Sequence, residues 1–224
     1  MKTLVLIPGL GFKSDVWDGF VSGLSVSYNI LKIDLPNEPE TIFAYLESKI
    51  PKNSFICGWS LGGTIATSFC TLFPEKHCKL ITIASSPNFK AVLNLELFYN
   101  LRNLLKEDFG RFVNSFISLV LYPDLSIKNI TLLKRYFIDE PEYLERYLEF
   151  LVNENVLDQY RILDQPSFHV ICGNDPIVSH ETFSQWQSNK HSQIYINDKF
   201  GHYPFLQNNI LIPVIEQWIE QNKK

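Results

Sequence analysis

The chain lacks most of the features that mark a specialised class of protein. No stretch of its 224 residues approaches the ~18–20 consecutive apolar residues of a membrane-spanning helix. The opening run, Met-Lys-Thr-Leu-Val-Leu-Ile, is cut short by Pro8 and Gly9, too early for a signal peptide, and reads as a first strand. There is no excess of positive charge: the net charge is -4, which argues against a general affinity for nucleic acid. No two of the four cysteines (Cys57, Cys70, Cys78, Cys172) are spaced as a metal-binding pair, and a chain of this size has no need of disulfide staples. They are expected as free, mostly buried thiols. Internal repeats, linkers and low-complexity tracts are missing too. What remains, at 46% hydrophobic and 20% charged, is the composition of an ordinary globular domain, expected in the cytoplasm, away from membranes and nucleic acid.

Strand-like and helix-like runs alternate, the pattern of parallel βαβ units. Strands are expected at 3–7, 28–33, 54–57 and 80–84, with helices at 15–24, 41–50 and 61–73 between and beside them. The alternation stops at about Pro87. Up to Asp164 the apolar spacing is helical throughout, giving expected helices at 93–106, 109–121, 127–137 and 141–157. It resumes with strands at 168–172 and 193–196 and helices at 180–187 and 209–221. Some 75 helical residues set into an α/β sheet suggest a cap over the carboxyl ends of the strands, where such sheets bind ligands.

Gly58-Trp59-Ser60-Leu61-Gly62-Gly63 carries the sharpest chemical signal. It matches G-x-S-x-G and lies between an apolar strand and an amphipathic helix, the context of a nucleophile elbow. A serine on that tight, strained turn needs glycine two residues to either side, because side chains there collide with neighbouring backbone. The turn also sets the hydroxyl at a helix N-terminus, where developing negative charge is favoured.

A serine hydroxyl attacks only when a base takes its proton. Of the five histidines, His169 falls inside a strand, His77 lies at the far end of the elbow helix, and His180 and His191 flank a surface helix. His202 follows the last strand, in Lys199-Phe200-Gly201-His202-Tyr203-Pro204-Phe205, at the same edge of the sheet as Ser60. The acid that orients it should follow a strand between the two, and Gly173-Asn174-Asp175-Pro176 places Asp175 there. Asp198 is a rival, but sits too close to His202 to be presented from a separate strand. The oxyanion of a tetrahedral intermediate needs backbone donors. Leu61 N–H, next to the nucleophile, and Leu10 N–H, in the Pro8-Gly9-Leu10-Gly11-Phe12 loop after the first strand, are the candidates. No cofactor and no metal site is indicated.

Pro8-Gly9-Leu10-Gly11 with Val16-Trp17, the elbow block from Cys57 to Gly63, Ala84-Ser85-Ser86-Pro87-Asn88-Phe89, Gly173-Asn174-Asp175 and Phe200-Gly201-His202-Tyr203-Pro204-Phe205 together resemble the pimeloyl-[acyl-carrier protein] methyl ester esterases of biotin synthesis. The resemblance covers most of the chain, is strongest in these blocks and weakest through the cap. It implies an α/β-hydrolase fold: a mostly parallel sheet flanked by helices, a core of residues 1–86 and 165–224, and a helical cap over 87–164. An N-terminal β-hairpin common in the family is absent, and the family's His-Gly in the first loop is Pro8-Gly9 here. The resemblance further implies a serine carboxylesterase acting on a small-molecule or carrier-bound acyl ester. Trp59 and Leu10 would line the ester pocket, and Phe116 would touch the acyl chain. An acyl-carrier protein would meet cap cations drawn from Arg102, Lys106, Arg111, Lys134, Arg135 and Arg146, with Arg111 and Arg135 foremost. A thioesterase, a menaquinone-pathway lyase and a non-catalytic ligand-binding relative are the alternatives on the same scaffold.

Overall fold

A computed structural model gives the fold for residues 2–223. In chain order the core begins with β1 (Thr3–Ile7), α1 (Asp18–Gly23), β2 (Asn29–Lys32), α2 (Ile42–Lys49), β3 (Phe55–Trp59), α3 (Leu61–Leu72) and β4 (Lys79–Ile83). Five helices follow: α4 (Leu95–Glu107), α5 (Phe109–Leu121), α6 (Ile127–Tyr136), α7 (Pro141–Asn153) and α8 (Leu157–Arg161). The core then closes with β5 (Ser167–Cys172), α9 (Thr182–Gln187), β6 (Ser192–Asn197) and α10 (Asn208–Gln221).

The six strands form one sheet in the order β2-β1-β3-β4-β5-β6, and every pairing is parallel. Parallel strands are covered on both faces, which is why β3 reads as a continuous apolar run and why β3 and β5 are buried along their whole length. The edge strands β2 and β6 are only partly buried. Side chains alternate across the sheet. Phe168 meets Trp218 of α10, as does Phe55 of β3. His169, the next residue, faces the opposite way and stacks on Trp186 of α9 at 3.9 Å. After β1 the chain crosses to β2 on one side and after β3 to β4 on the other, so the crevice between the carboxyl ends of β1 and β3 is the topological switch point at which open α/β sheets hold their ligands.

Three of the helices between β4 and β5 begin at side-chain caps. Asn94 Oδ1 accepts from Leu97 N at the start of α4, Asp108 Oδ1 from Arg111 N at the start of α5, and Ser126 Oγ from Asn129 N at the start of α6. The helix expected over 141–157 is shorter than its periodicity suggests. α7 ends at Asn153, and the chain turns out so that Val156 N can donate to Pro87 O (2.9 Å) while Asn155 pairs with Asn88. This stitches the departing and returning strands of the insertion into a neck, and the short α8 beyond it belongs to the core, where Tyr160 is fully buried. A second seam joins the insertion to the loop after β1. Lys13 N donates to Tyr136 O and Ile138 N to Gly11 O, both at 2.8 Å. All four cysteines are buried and unlinked.

Candidate active site

Ser60 stands between β3 and α3 with φ 54° and ψ -122°, a backbone conformation that costs a non-glycine residue on the order of 1–3 kcal/mol. The glycines flanking it permit the turn: a Cβ on Gly58 would overlap the Gly62 carbonyl, and one on Gly62 would overlap the carbonyls of Ile7 and Pro8. The strained residue is held from several sides. Ser60 N donates to Ile83 O (2.9 Å), and its carbonyl accepts from Gly63 N (2.8 Å) and from the hydroxyl of Ser85 (2.7 Å). Ser85 was not singled out from the sequence except as part of a Ser-Ser-Pro block. Its position directly after β4, one strand over from the elbow, is the signal that could have found it.

His202 follows β6 and Asp175 follows β5, and both reach Ser60. His202 Nε2 lies 2.9 Å from Ser60 Oγ, and His202 Nδ1 lies 2.7 Å from Asp175 Oδ2. A carboxylate facing Nδ1 makes that nitrogen the N–H, and leaves the Nε2 lone pair aimed at the serine hydroxyl. The other carboxylate oxygen, Asp175 Oδ1, accepts from Ile177 N (2.8 Å) and Val178 N (3.0 Å), so the acid is oriented by its own turn. The arrangement is dry: the His202 and Asp175 side chains are 2% and 1% exposed. Asp198, the rival acid, is exposed and makes no hydrogen bond to His202.

Leu10 and Leu61 flank this group. Among the described residues, neither amide N–H has an acceptor within the protein, whereas the neighbouring Phe12 N donates to Gly9 O and Gly63 N to Ser60 O. Both amides are thus free to donate to a group beside Ser60, at a helix N-terminus that favours negative charge.

The side chains of Ser60 and His202 open into a small apolar cavity of about 40 Å³. Leu10 and Phe116 line it, and so do Leu97, Phe98, Leu148 and Leu151 from the overlying helices. Neither lysine nor arginine is among its lining residues. Trp59, in contrast, is not part of the wall. Its ring is turned into the core among Phe12, Tyr203 and Phe205, and its Nε1–H donates to His202 O at 2.7 Å. The expectation of a pocket-lining tryptophan is therefore corrected: Trp59 fixes the backbone that carries the imidazole.

The cap cations separate into two groups. Lys106 pairs with Glu145, Arg146 reaches Glu38 and Asn37 O, and Lys134 bonds Asn114. Arg111 and Arg135 are exposed, outside the cavity, and form no ion pair among the described residues; Arg102 is half-buried and likewise has none. A wider depression of about 480 Å³ near Lys2, Tyr28 and Lys223 lies at the amino ends of β1 and β2, away from the nucleophile. Among the described residues no group of three or more His, Cys, Asp or Glu side chains could hold a metal ion, and no helix is long and apolar enough to cross a membrane.

In fold the chain is an α/β hydrolase. A hydrolase from Oleispira antarctica superposes with a TM-score of 0.87 at 17% identity, covering 99% of this chain and 92% of that one. An esterase from Exiguobacterium antarcticum superposes with 0.84 at 14% identity, covering 98% and 92%. In sequence, the particular proteins it resembles are pimeloyl-[acyl-carrier protein] methyl ester esterases. That of Legionella pneumophila (strain Lens) is 28% identical over 97% of this chain and 95% of its own length. That of Wigglesworthia glossinidia brevipalpis is 29% identical over 97% and 93%. No family model matches the chain.

Proposed function

We propose that the protein is a serine carboxylesterase that cleaves the methyl ester of a carrier-bound dicarboxylic acyl chain, as the names of its curated relatives suggest, in the cytoplasm. The observation that carries the reading is the unbroken hydrogen-bonded line Asp175–His202–Ser60 opening on an apolar cavity. Ser60 Oγ attacks the ester carbonyl while His202 Nε2 takes its proton, and Asp175 stabilises the imidazolium that forms. The oxyanion is received by Leu10 N–H and Leu61 N–H. When the tetrahedral intermediate collapses, the C–O bond to the leaving alcohol breaks and His202 returns the proton to that alcohol. Water, deprotonated by His202, then attacks the acyl-enzyme and releases the acid and the free serine.

The apolar wall favours an aliphatic acyl group. A lyase acting on a polycarboxylate would want several cationic groups around its substrate, and the cavity wall has neither lysine nor arginine. The exposed guanidinium groups of Arg111 and Arg135 suit an acidic carrier protein, by steering rather than by buried contact.

A fluorophosphonate probe should label the wild-type protein and leave Ser60→Ala unlabelled. Labelling that persists in Ser60→Ala, or none in the wild type, defeats the reading. Restoring growth without biotin in a strain lacking the demethylating esterase tests the substrate. For the carrier surface, Arg111→Glu with Arg135→Glu should raise KM for the carrier-bound ester several-fold more than for a soluble methyl ester. Equal changes for both would remove the docking role.

A further inference from the structure

The Ser60 cavity is too small for the substrate it is proposed to hold. At about 40 Å³ it has room for only a few water molecules, while pockets for drug-sized ligands run to roughly 300–1,000 Å³. The esterified carbonyl must sit beside Ser60, so the remainder of a longer acyl chain has to occupy volume elsewhere. A neighbouring space shares its wall. Across the cap, between α4 and α7, an outer groove of about 130 Å³ is lined by Leu95, Tyr99, Val152 and Asn153, with the charged Lys90, Arg102, Glu145 and Glu149 in the same wall. Phe98 and Leu148 line both spaces, so these two side chains form the partition between them. Phe98 and Leu148 are 8% and 7% exposed.

The groove has the character of a place for a chain rather than a closed surface. Leu95 and Tyr99 are 47% and 56% exposed, apolar side chains left open beside a cavity. At the groove wall, α4 and α7 are bridged by Lys106 Nζ and Glu145 Oε1 at 2.7 Å, an exposed ion pair of the kind that contributes little to stability. The ion pair therefore adds little resistance to a parting of α4 and α7 at this place.

We propose that the groove between α4 and α7 is a second acyl subsite, entered from the Ser60 cavity past Phe98 and Leu148, that takes the distal methylenes of a medium-chain ester. The inference rests on the esterase reading for its substrate class, but binding can be measured without turnover. The host protein is Ser60→Ala, and the probes are methyl butanoate and methyl octanoate, compared by titration calorimetry. Octanoate should bind at least tenfold more tightly, because its additional methylenes leave water for the groove. Val152→Trp or Asn153→Trp, each filling the groove from α7, should remove most of that advantage; Asn153 is exposed, so its replacement spares the core if the other variant folds poorly. Phe98→Ala should enlarge the advantage. Equal binding of the two esters, or an advantage that both tryptophan variants leave intact, overturns the subsite. Failure of the wild type to hydrolyse either ester would count against the esterase reading alone, since the binding comparison does not depend on it.

Discussion

Replacing Asp175 with asparagine tests the proposed chemistry most directly, because the local geometry dictates how the new side chain must sit. Asp175 Oδ1 accepts two backbone hydrogen bonds, from Ile177 N and Val178 N, and only an oxygen can take that place. In Asp175→Asn the amide oxygen is thereby fixed on the turn, and the amide nitrogen is forced to face His202 Nδ1, where Asp175 Oδ2 now lies at 2.7 Å. An N–H donor at that point compels Nδ1 to become the acceptor. The imidazole proton then moves to Nε2, which faces Ser60 Oγ at 2.9 Å and can no longer act as a base. Such a tautomer error lowers kcat by about 10⁴ in a serine hydrolase with the same three groups, equivalent to ~5.4 kcal/mol of barrier.

Stability should move in the opposite pattern. Asp175→Asn keeps every hydrogen bond in number, so its melting temperature should stay close to that of the wild type. Asp175→Ala leaves the two turn amides without their acceptor, at ~1–3 kcal/mol for a buried group, and at this chain length each kcal/mol is worth about 2–4 °C in Tm. Steady-state hydrolysis of p-nitrophenyl butanoate at pH 7–8, with thermal unfolding of all three proteins, reads both effects. An Asp175→Asn protein that folds normally and retains kcat within tenfold of the wild type would refute the argument, since the tautomer of His202 would then be set by something else.

Three further outcomes follow from the core. Gly58→Ala should fail to accumulate as folded protein, because the added methyl overlaps the Gly62 carbonyl and neither backbone can retreat; a soluble variant with wild-type Tm would contradict the steric account of the elbow. Glu216→Ala should cost about 1–2 kcal/mol in denaturant titrations, because Glu216 takes Ser25 N, Ser25 Oγ and Val26 N and the loop before β2 loses all three; no change in midpoint would show that water replaces them freely. His169 is the third case. Tyr160 donates to Trp186 O, so its oxygen accepts from His169 Nε2–H, and His169 Nδ1 accepts from Thr82. Burial holds this ring neutral, with its pKa well below the ordinary 6.5. The unfolded chain therefore binds a proton that the native state refuses, and stability present above pH 6.5 is lost as pH falls, by about 1.4 kcal/mol per unit until the native ring titrates. Denaturant titrations at pH 7.5 and 5.5 should show that loss, and His169→Gln should remove it; the same slope in both proteins would assign the effect to other groups.

The parts of this molecule legible in its sequence are those whose physics is local. A strand covered on both faces favours apolar residues at successive positions, and β1 and β3 are where such runs occur. The elbow writes glycine at 58 and 62 because no other residue fits, and the loop positions of Asp175 and His202 follow from the strands before them. Trp59 was misplaced for the opposite reason. Nothing near it in the chain reveals that its indole N–H belongs to a carbonyl 143 residues away, and an aromatic beside a nucleophile reads equally well as pocket or as core. The end of α7 was hidden likewise: the apolar spacing runs on through Val156, but residues 155 and 156 are needed to pair with 87 and 88. Charge misleads in the same way, since Lys106 and Arg146 look in the sequence like Arg111 and Arg135, and only their distant partners Glu145 and Glu38 take them out of contention for a ligand. The chemistry proposed for Ser60 was thus readable from short blocks, while the choice of ester depends on how α4 and α7 meet, a contact between helices some fifty residues apart that no single segment encodes.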